Sequence, residues 1–244
     1  MSTEPVKSNP TPAHFSHLRD KFVTIVAFGD SITQVNHWTY GGLNWVGMLP
    51  MGLYEVFPKG QTIINSGVGG DSLTNGLTRL DRDVLRFNPD IAILSFGMND
   101  CRTATPEKFH DQLCETISRI RANGPASIIL RTPNPMVDMF TGKELNEVPE
   151  GEGKYLRTNL GAYSEIICAV ARKEKTLLVD HYALWKESMK SSCVGDIIML
   201  MGNPIHPNHL GHRRLYHELA PTFNAYRNFF HEWERILRDG GRIP

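Results

Sequence analysis

Between residues 23 and 180, short apolar runs alternate with stretches of helical periodicity, and this alternation limits the fold more than any other feature of the chain. Residues 23–27, 62–64, 91–96, 127–130 and 176–179 are rich in Val, Ile and Leu and read as strands buried on both faces. Helical spacing follows in 43–56 (Val46, Leu49, Leu53, Val56) and in 73–87 (Leu73, Leu77, Leu80, Val84, Phe87). It returns after Pro106 (Phe109, Leu113, Ile117, Ile120) and over 154–173 (Leu156, Leu160, Tyr163, Ile167, Val170). Breaks fall at Pro58-Lys59-Gly60, Asn88-Pro89 and Asn123-Gly124-Pro125. Strands alternating with helices predict an α/β fold, a three-layer α/β/α sandwich around a five-stranded parallel sheet. The 244 residues suffice for one such domain with a proper core. Residues 133–153 show no period and are long for a plain connection, which predicts a functional loop or lid.

Polar blocks sit where the strands end. Gly29-Asp30-Ser31 closes the first strand, at the carboxyl end where ligand crevices form in open α/β sheets. A serine there is a nucleophile if a base reaches it, although the same three residues are also ordinary turn formers. Asn65-Ser66-Gly67-Val68-Gly69-Gly70-Asp71-Ser72 follows the second strand, and Gly97-Met98-Asn99-Asp100 the third. His206-Pro207-Asn208 precedes a helix-like stretch near the C-terminus.

In this order the four blocks resemble the SGNH hydrolases, the GDSL-type serine esterases, from about residue 23 to residue 221. The resemblance implies a flavodoxin-like strand order, 2-1-3-4-5, which sets the ends of the first three strands side by side. It also implies Ser31 as nucleophile and His206 as base. The implied oxyanion hole is the backbone N–H of Ser31, the backbone N–H of Gly70 and the side-chain amide of Asn99. These residue types suit acyl transfer. A neutral imidazole takes the serine proton near working pH, glycine lets backbone approach the substrate, and asparagine offers a neutral N–H on a short side chain. Each has an ordinary reading as well: the glycines turn the chain, and Asn99-Asp100 caps a helix. Asp30, Asp71 and Asp100 read as acceptors that hold the loops. The chemistry needs no cofactor. His209 and His212 are a weak metal pair, since i and i+3 is not the usual i and i+4 spacing and no third ligand is evident.

One position departs from the pattern. The family carries an aspartate three residues before the histidine, and here that position is Asn203. In a serine protease, replacing the aspartate by asparagine lowers turnover by about ten-thousandfold. Several arrangements are open. One is a Ser-His-Asn set of Ser31, His206 and Asn203. Others are a dyad held by backbone, a substitute carboxylate at Asp196 or Asp180, and a weakened or noncatalytic relative that binds esters or glycans. The expected activity is hydrolysis of small acyl esters, acetyl esters of sugars among them. Lysophospholipase, thioesterase and acyltransferase activities would use the same residues.

Trp38 and Tyr40 fall in the irregular stretch after the serine and are candidates for substrate contact, whereas Trp45 lies in the helical pattern and reads as core. Lys plus Arg and Asp plus Glu both number 26, a balance that argues against a nucleic-acid binder. No run of about 18 apolar residues is present, so no membrane span is expected. Residues 1–20 read as a flexible lead-in and 21–221 as the hydrolase domain. Residues 222–244 read as an extra helix, with Tyr226, Phe229, Phe230, Trp233 and Leu237 on one side. That helix covers the domain's own surface or makes a subunit contact in a homo-oligomer. The four cysteines have no metal-type spacing. Reduced thiols and a polar start without a signal core fit a cytoplasmic protein, with a mature secreted chain as the alternative.

Overall fold

A computed structural model describes residues 12–54, 56–145 and 159–225. The strands are β1 (Val23–Gly29), β2 (Gln61–Gly67), β3 (Ile91–Ser95), β4 (Ser127–Arg131) and β5 (Leu177–Val179). They pair in parallel in the expected order, β2-β1-β3-β4-β5. In the register, Ile25 of β1 lies between Ile63 of β2 and Ile91 of β3. Side chains of β1 alternate between two cores. Val23, Ile25 and Ala27 enter one, and Val26 and Phe28 the other. Burial on both faces explains the unbroken apolar runs.

The helices are α1 (Trp45–Leu53), α2 (Leu73–Asp83), α3 (Asp100–Thr103), α4 (Pro106–Asn123), α5 (Leu160–Glu174), α6 (His181–Ser191), α7 (Val194–Ile198) and α8 (His209–Leu219). Crossover handedness assigns them to faces. The link from β1 to β2 crosses the sheet in one direction, while the links to β3, β4 and β5 run in the other. Right-handed crossovers then put α1 opposite α2, α4 and α5. The cores agree: Trp45, Leu49 and Leu53 of α1 share one with Trp185 of α6 and Leu215 and Leu219 of α8. Leu73 and Leu80 of α2 share the other with Leu113 and Ile117 of α4 and Ile167 of α5.

Caps set the helix starts. Asn44 Oδ1 accepts the Gly47 N–H at 2.9 Å, which begins α1 at Trp45. Thr105 caps α4, with Pro106 as its first residue. α2 stops at Asp83, and a 3-10 turn at Leu85–Phe87 completes the stretch expected to be helical through 87. α6 and α7 escape a periodicity argument because each gives the core one large side chain, Trp185 and Ile197.

The expected flexible lead-in is corrected from residue 13 onward. Ala13–Leu18 forms a 3-10 turn with Phe15 and Leu18 buried, and Phe15 stacks on Phe223 at 5.2 Å between ring centres. Phe15 and Leu18 stand three apart, the spacing at which 3-10 side chains align on one face. Residues 226–244, with most of the expected C-terminal helix, lie outside the described residues, as do 146–158. Among the described residues, no helix is long and apolar enough to cross a membrane.

The layer of α6 and α8 buries two histidines, His181 and His212, both fully inaccessible. His181 Nε2 accepts from Arg131 Nε at 2.8 Å, so its Nδ1–H donates to Glu218 Oε2 at 2.6 Å. The Arg131 guanidinium lies 3.8 Å from the centre of the Trp45 ring. Burial, reinforced by Arg131, pushes His181 down to about 4 and His212 down to about 3. Below pH 6.5 the unfolded chain therefore binds protons that the folded chain refuses, and stability falls as pH falls. Each histidine removes about 2 kcal/mol at pH 5. Asp100 acts oppositely: burial raises it to about 6, so it restores about 1 kcal/mol over the same range. The melting temperature should drop by several degrees between pH 7 and pH 5, and His212→Leu should shrink that drop by about two-thirds. An unchanged pH slope in His212→Leu would show that its burial does not carry the effect.

Candidate active site

The carboxyl ends of β1, β2 and β3 are level with one another, because Gly29 pairs with Gly67 on one side and with Ser95 on the other. Three loops leave from this line. In the first, Asp30 Oδ1 accepts the Ile32 N–H at 2.9 Å, and the Asp30 carbonyl accepts from Thr33 and Gln34. The resulting tight turn leaves Ser31 half-buried at the strand end.

The second and third loops are locked by buried polar groups. Gly70 has φ +80, and a side chain there would meet nothing within 4 Å, so backbone conformation alone calls for glycine. Asp71 Oδ2 takes the Arg79 Nε–H at 2.7 Å, and the Asp71 carbonyl takes an N–H of the Asn99 amide at 2.9 Å. This second bond fixes which way the Asn99 side chain turns. Asp100 is fully buried and ties the two loops, accepting Leu73 N–H at 2.7 Å and Gly97 N–H at 2.8 Å. Burial raises its carboxyl to about 6 against the pull of those donors. Arg79, whose role gave no signal in the sequence, joins the strand ends. It donates to the carbonyls of Gly29 and Ser66 and to Asp71 and Asp83, with its guanidinium 4.5 Å from the Phe28 ring centre. The three aspartates read as loop acceptors do hold the loops.

His206 reaches the same crevice from the turn before α8. Its Nε2 lies 2.9 Å from Ser31 Oγ. Asn203 Oδ1 accepts the backbone N–H of Ile205 at 2.8 Å and of His206 at 2.7 Å, and lies 3.1 Å from His206 Nδ1. These contacts determine the protonation pattern. Backbone N–H groups meet an acceptor, so the amide oxygen, not its nitrogen, faces them. The same oxygen then faces Nδ1, which must carry the proton, and Nε2 is left with its lone pair toward the serine hydroxyl.

The turn itself is braced from behind. Asn134 Nδ2 donates to the Ile205 carbonyl at 3.1 Å, and Val137 N–H to the Pro204 carbonyl at 2.9 Å. Residues 131–137 are buried, and Asn134 and Val137 at the near end of the irregular stretch back the histidine turn, while 146–153 lies outside the described residues. Asn208 Oδ1 caps α8 through the N–H groups of Leu210 and Gly211.

The two substitute carboxylates are engaged in capping. Asp180 accepts from Ala183 N–H and from the Thr132 hydroxyl, and Asp196 from Cys193 N–H. The Trp38 and His206 rings stack nearly parallel, with centres 5.6 Å apart and planes within 7°. Tyr40 is 66% exposed, in a left-handed conformation at the end of the short 3-10 turn His37–Thr39 that carries Trp38. His209 is exposed and His212 buried, so the pair does not share an environment. All four cysteines are free thiols.

Residues 27–214 match the GDSL-like lipase/acylhydrolase family. The chain is 24% identical over 204 residues to esterase TesA of Pseudomonas aeruginosa, a match covering 82% of this chain and 87% of that one. It is likewise 24% identical over 201 residues to an acetylxylan esterase of Geobacillus stearothermophilus, covering 77% and 88%. A crystal structure of an acetylxylan esterase from the same organism has the same fold, with a TM-score of 0.66 at 20% identity over 86% of this chain and 99% of that one. Catalytic mutants of that enzyme carry alanine in place of a serine, an aspartate or a histidine. From Ala27 through Arg214, which takes in the serine, the glycine loop, Asn99 and the histidine turn, this chain belongs to the GDSL-like lipase/acylhydrolase family.

Proposed function

We propose that the protein is a serine esterase that hydrolyses small acyl esters through an acyl-enzyme on Ser31. The ester carbonyl carbon is attacked by Ser31 Oγ. As the Oγ–C bond forms, the Oγ–H bond breaks and the proton passes to His206 Nε2. The carbonyl electron pair moves onto oxygen, where the N–H groups of Ser31 and Gly70 and the Asn99 amide receive it. Collapse expels the alcohol, which takes the proton from Nε2. Water then repeats the sequence on the acyl-enzyme and releases the acid.

The observation that carries this reading is the chain of contacts from Asn203 Oδ1 to His206 Nδ1 and from Nε2 to Ser31 Oγ. The severe loss seen when a protease aspartate becomes asparagine comes from the wrong histidine tautomer. Here two backbone N–H groups turn the amide oxygen toward the imidazole, so the tautomer is the working one. What the amide lacks is charge. The acetyl ester of a sugar is the substrate we favour, on the similarity to an acetylxylan esterase. The noncatalytic alternative rests on Asn203 alone.

A fluorophosphonate probe, which requires an activated serine, separates the two. It should label Ser31, and Ser31→Ala should abolish both labelling and 4-nitrophenyl acetate hydrolysis with the melting temperature unchanged. A folded wild-type protein that neither labels nor turns over would overturn the esterase reading. Screening acetylated xylo-oligosaccharides beside longer acyl esters tests the substrate class.

Asn203→Asp supplies the missing charge. A hydrogen bond to a charged acceptor is worth about 1 kcal/mol more than a neutral one, so kcat should rise about fivefold. A flat response would mean that the histidine already has all the electrostatic support it can use.

A further inference from the structure

We propose that Trp38 is a positioning residue for His206, its indole face supplying part of the electrostatic support that Asn203 does not bring. The proposal rests on the serine-esterase reading above. Its basis is the stacked pair, with ring centres 5.6 Å apart and planes within 7°. A cation within about 6 Å of an indole centre, over its face, is attracted by the negative π surface. Protonation at Nε2 spreads positive charge over the imidazole, the ring stacked beside the indole. The neutral ring before attack gains far less. The contact therefore strengthens as the transition state forms, which is the condition for raising turnover rather than ground-state binding.

The indole is held in place from both sides. Trp38 N–H donates to Asn36 Oδ1 at 3.0 Å, and Asn36 Nδ2 donates to the Ser31 carbonyl at 2.7 Å, so the turn bearing the indole is tied to the nucleophile's own backbone. On the far side it packs against the histidine turn. A methyl group added at Gly202 would sit 3.1 Å from the Trp38 carbonyl and 3.2 Å from its Cβ. Gly202 N–H in turn bonds the His206 carbonyl at 2.8 Å. The half-buried indole thus spans the two segments that carry serine and histidine. A ring meant only as a substrate platform needs neither the parallel stacking nor the link to Ser31.

Kinetics on 4-nitrophenyl acetate test the role. Trp38→Leu keeps an apolar side chain but removes the π face, and Trp38→Phe keeps a smaller face. Trp38→Leu should lower kcat by about three- to tenfold with KM within about twofold, and Trp38→Phe should recover most of the loss. Melting temperatures check that both variants fold, and Trp38→Met replaces leucine if that variant does not. A loss confined to KM would make Trp38 a substrate contact. Equal losses in leucine and phenylalanine would reduce it to packing, and an unchanged kcat would remove it from the mechanism. Each result overturns the proposal while Ser31→Ala stays inactive. Turnover that survives Ser31→Ala would overturn the esterase mechanism itself, so the two failures are distinct.

Discussion

The reversal of strand order around β1 is the constraint on which the rest of the molecule depends. Because β2 lies on one side of β1 and β3 on the other, three successive crossovers deliver their loops to one crevice. Level register makes the delivery useful: Gly29, Gly67 and Ser95 pair across the three strands, so Ser31, Gly70 and Asn99 leave from the same height. Loops alone would not hold such positions. Arg79 binds the carbonyl ends of β1 and β2, and Asp100 binds the loops after β2 and β3. Burying these charges is costly without partners, and here their buried polar atoms meet backbone and carboxylate groups.

At the histidine, local backbone does what a charged side chain does elsewhere. A carboxylate is an acceptor in every orientation, so it specifies the tautomer of its neighbour without help. An amide is ambiguous, with an acceptor at one end and a donor at the other. The turn from Asn203 to His206 resolves the ambiguity with two N–H groups aimed at Oδ1. Orientation and charge, joined in an aspartate, are thereby separated: the turn provides the first, and the second must come from elsewhere or be done without.

The fold was legible in the sequence where burial leaves a period. Both-face burial produced the five apolar runs, and one-face burial produced the stripes of α1, α2, α4 and α5. Ser31, Gly70 and Asn99 were legible as candidates because they follow strand ends in short blocks with special backbone needs, as at Gly70. Illegible were the groups whose importance arises from long-range contact. Arg79 looks like any surface arginine of a polar helix, Phe15 like part of a polar tail, and His181 and Arg131 like unrelated residues fifty positions apart. Asn203 was legible as a departure, but the direction of its amide depends on a turn conformation that composition does not encode. Trp38 was legible as an aromatic near the serine, not as a partner of the histidine.

His206 stands on the least regular part of the candidate site, and its bracing follows from that. Ser31 and Asn99 are fixed by strands, whereas His206 comes from a turn with no strand beneath it. An imidazole displaced by about 1 Å can cost about a hundredfold in rate, so an unsupported turn would be a weak place for a base. The turn is therefore gripped from separate segments. Asn134 and Val137 hold its carbonyls from the loop after β4, Asn208 anchors its exit into α8, and Trp38 lies against it from the nucleophile's side. Residues 131–137 are all buried, and among them Asn134 and Val137 turn polar groups to the histidine turn. In this molecule the irregular segment after β4 works at its near end as scaffold, carrying to the histidine the rigidity that the sheet gives directly to the serine.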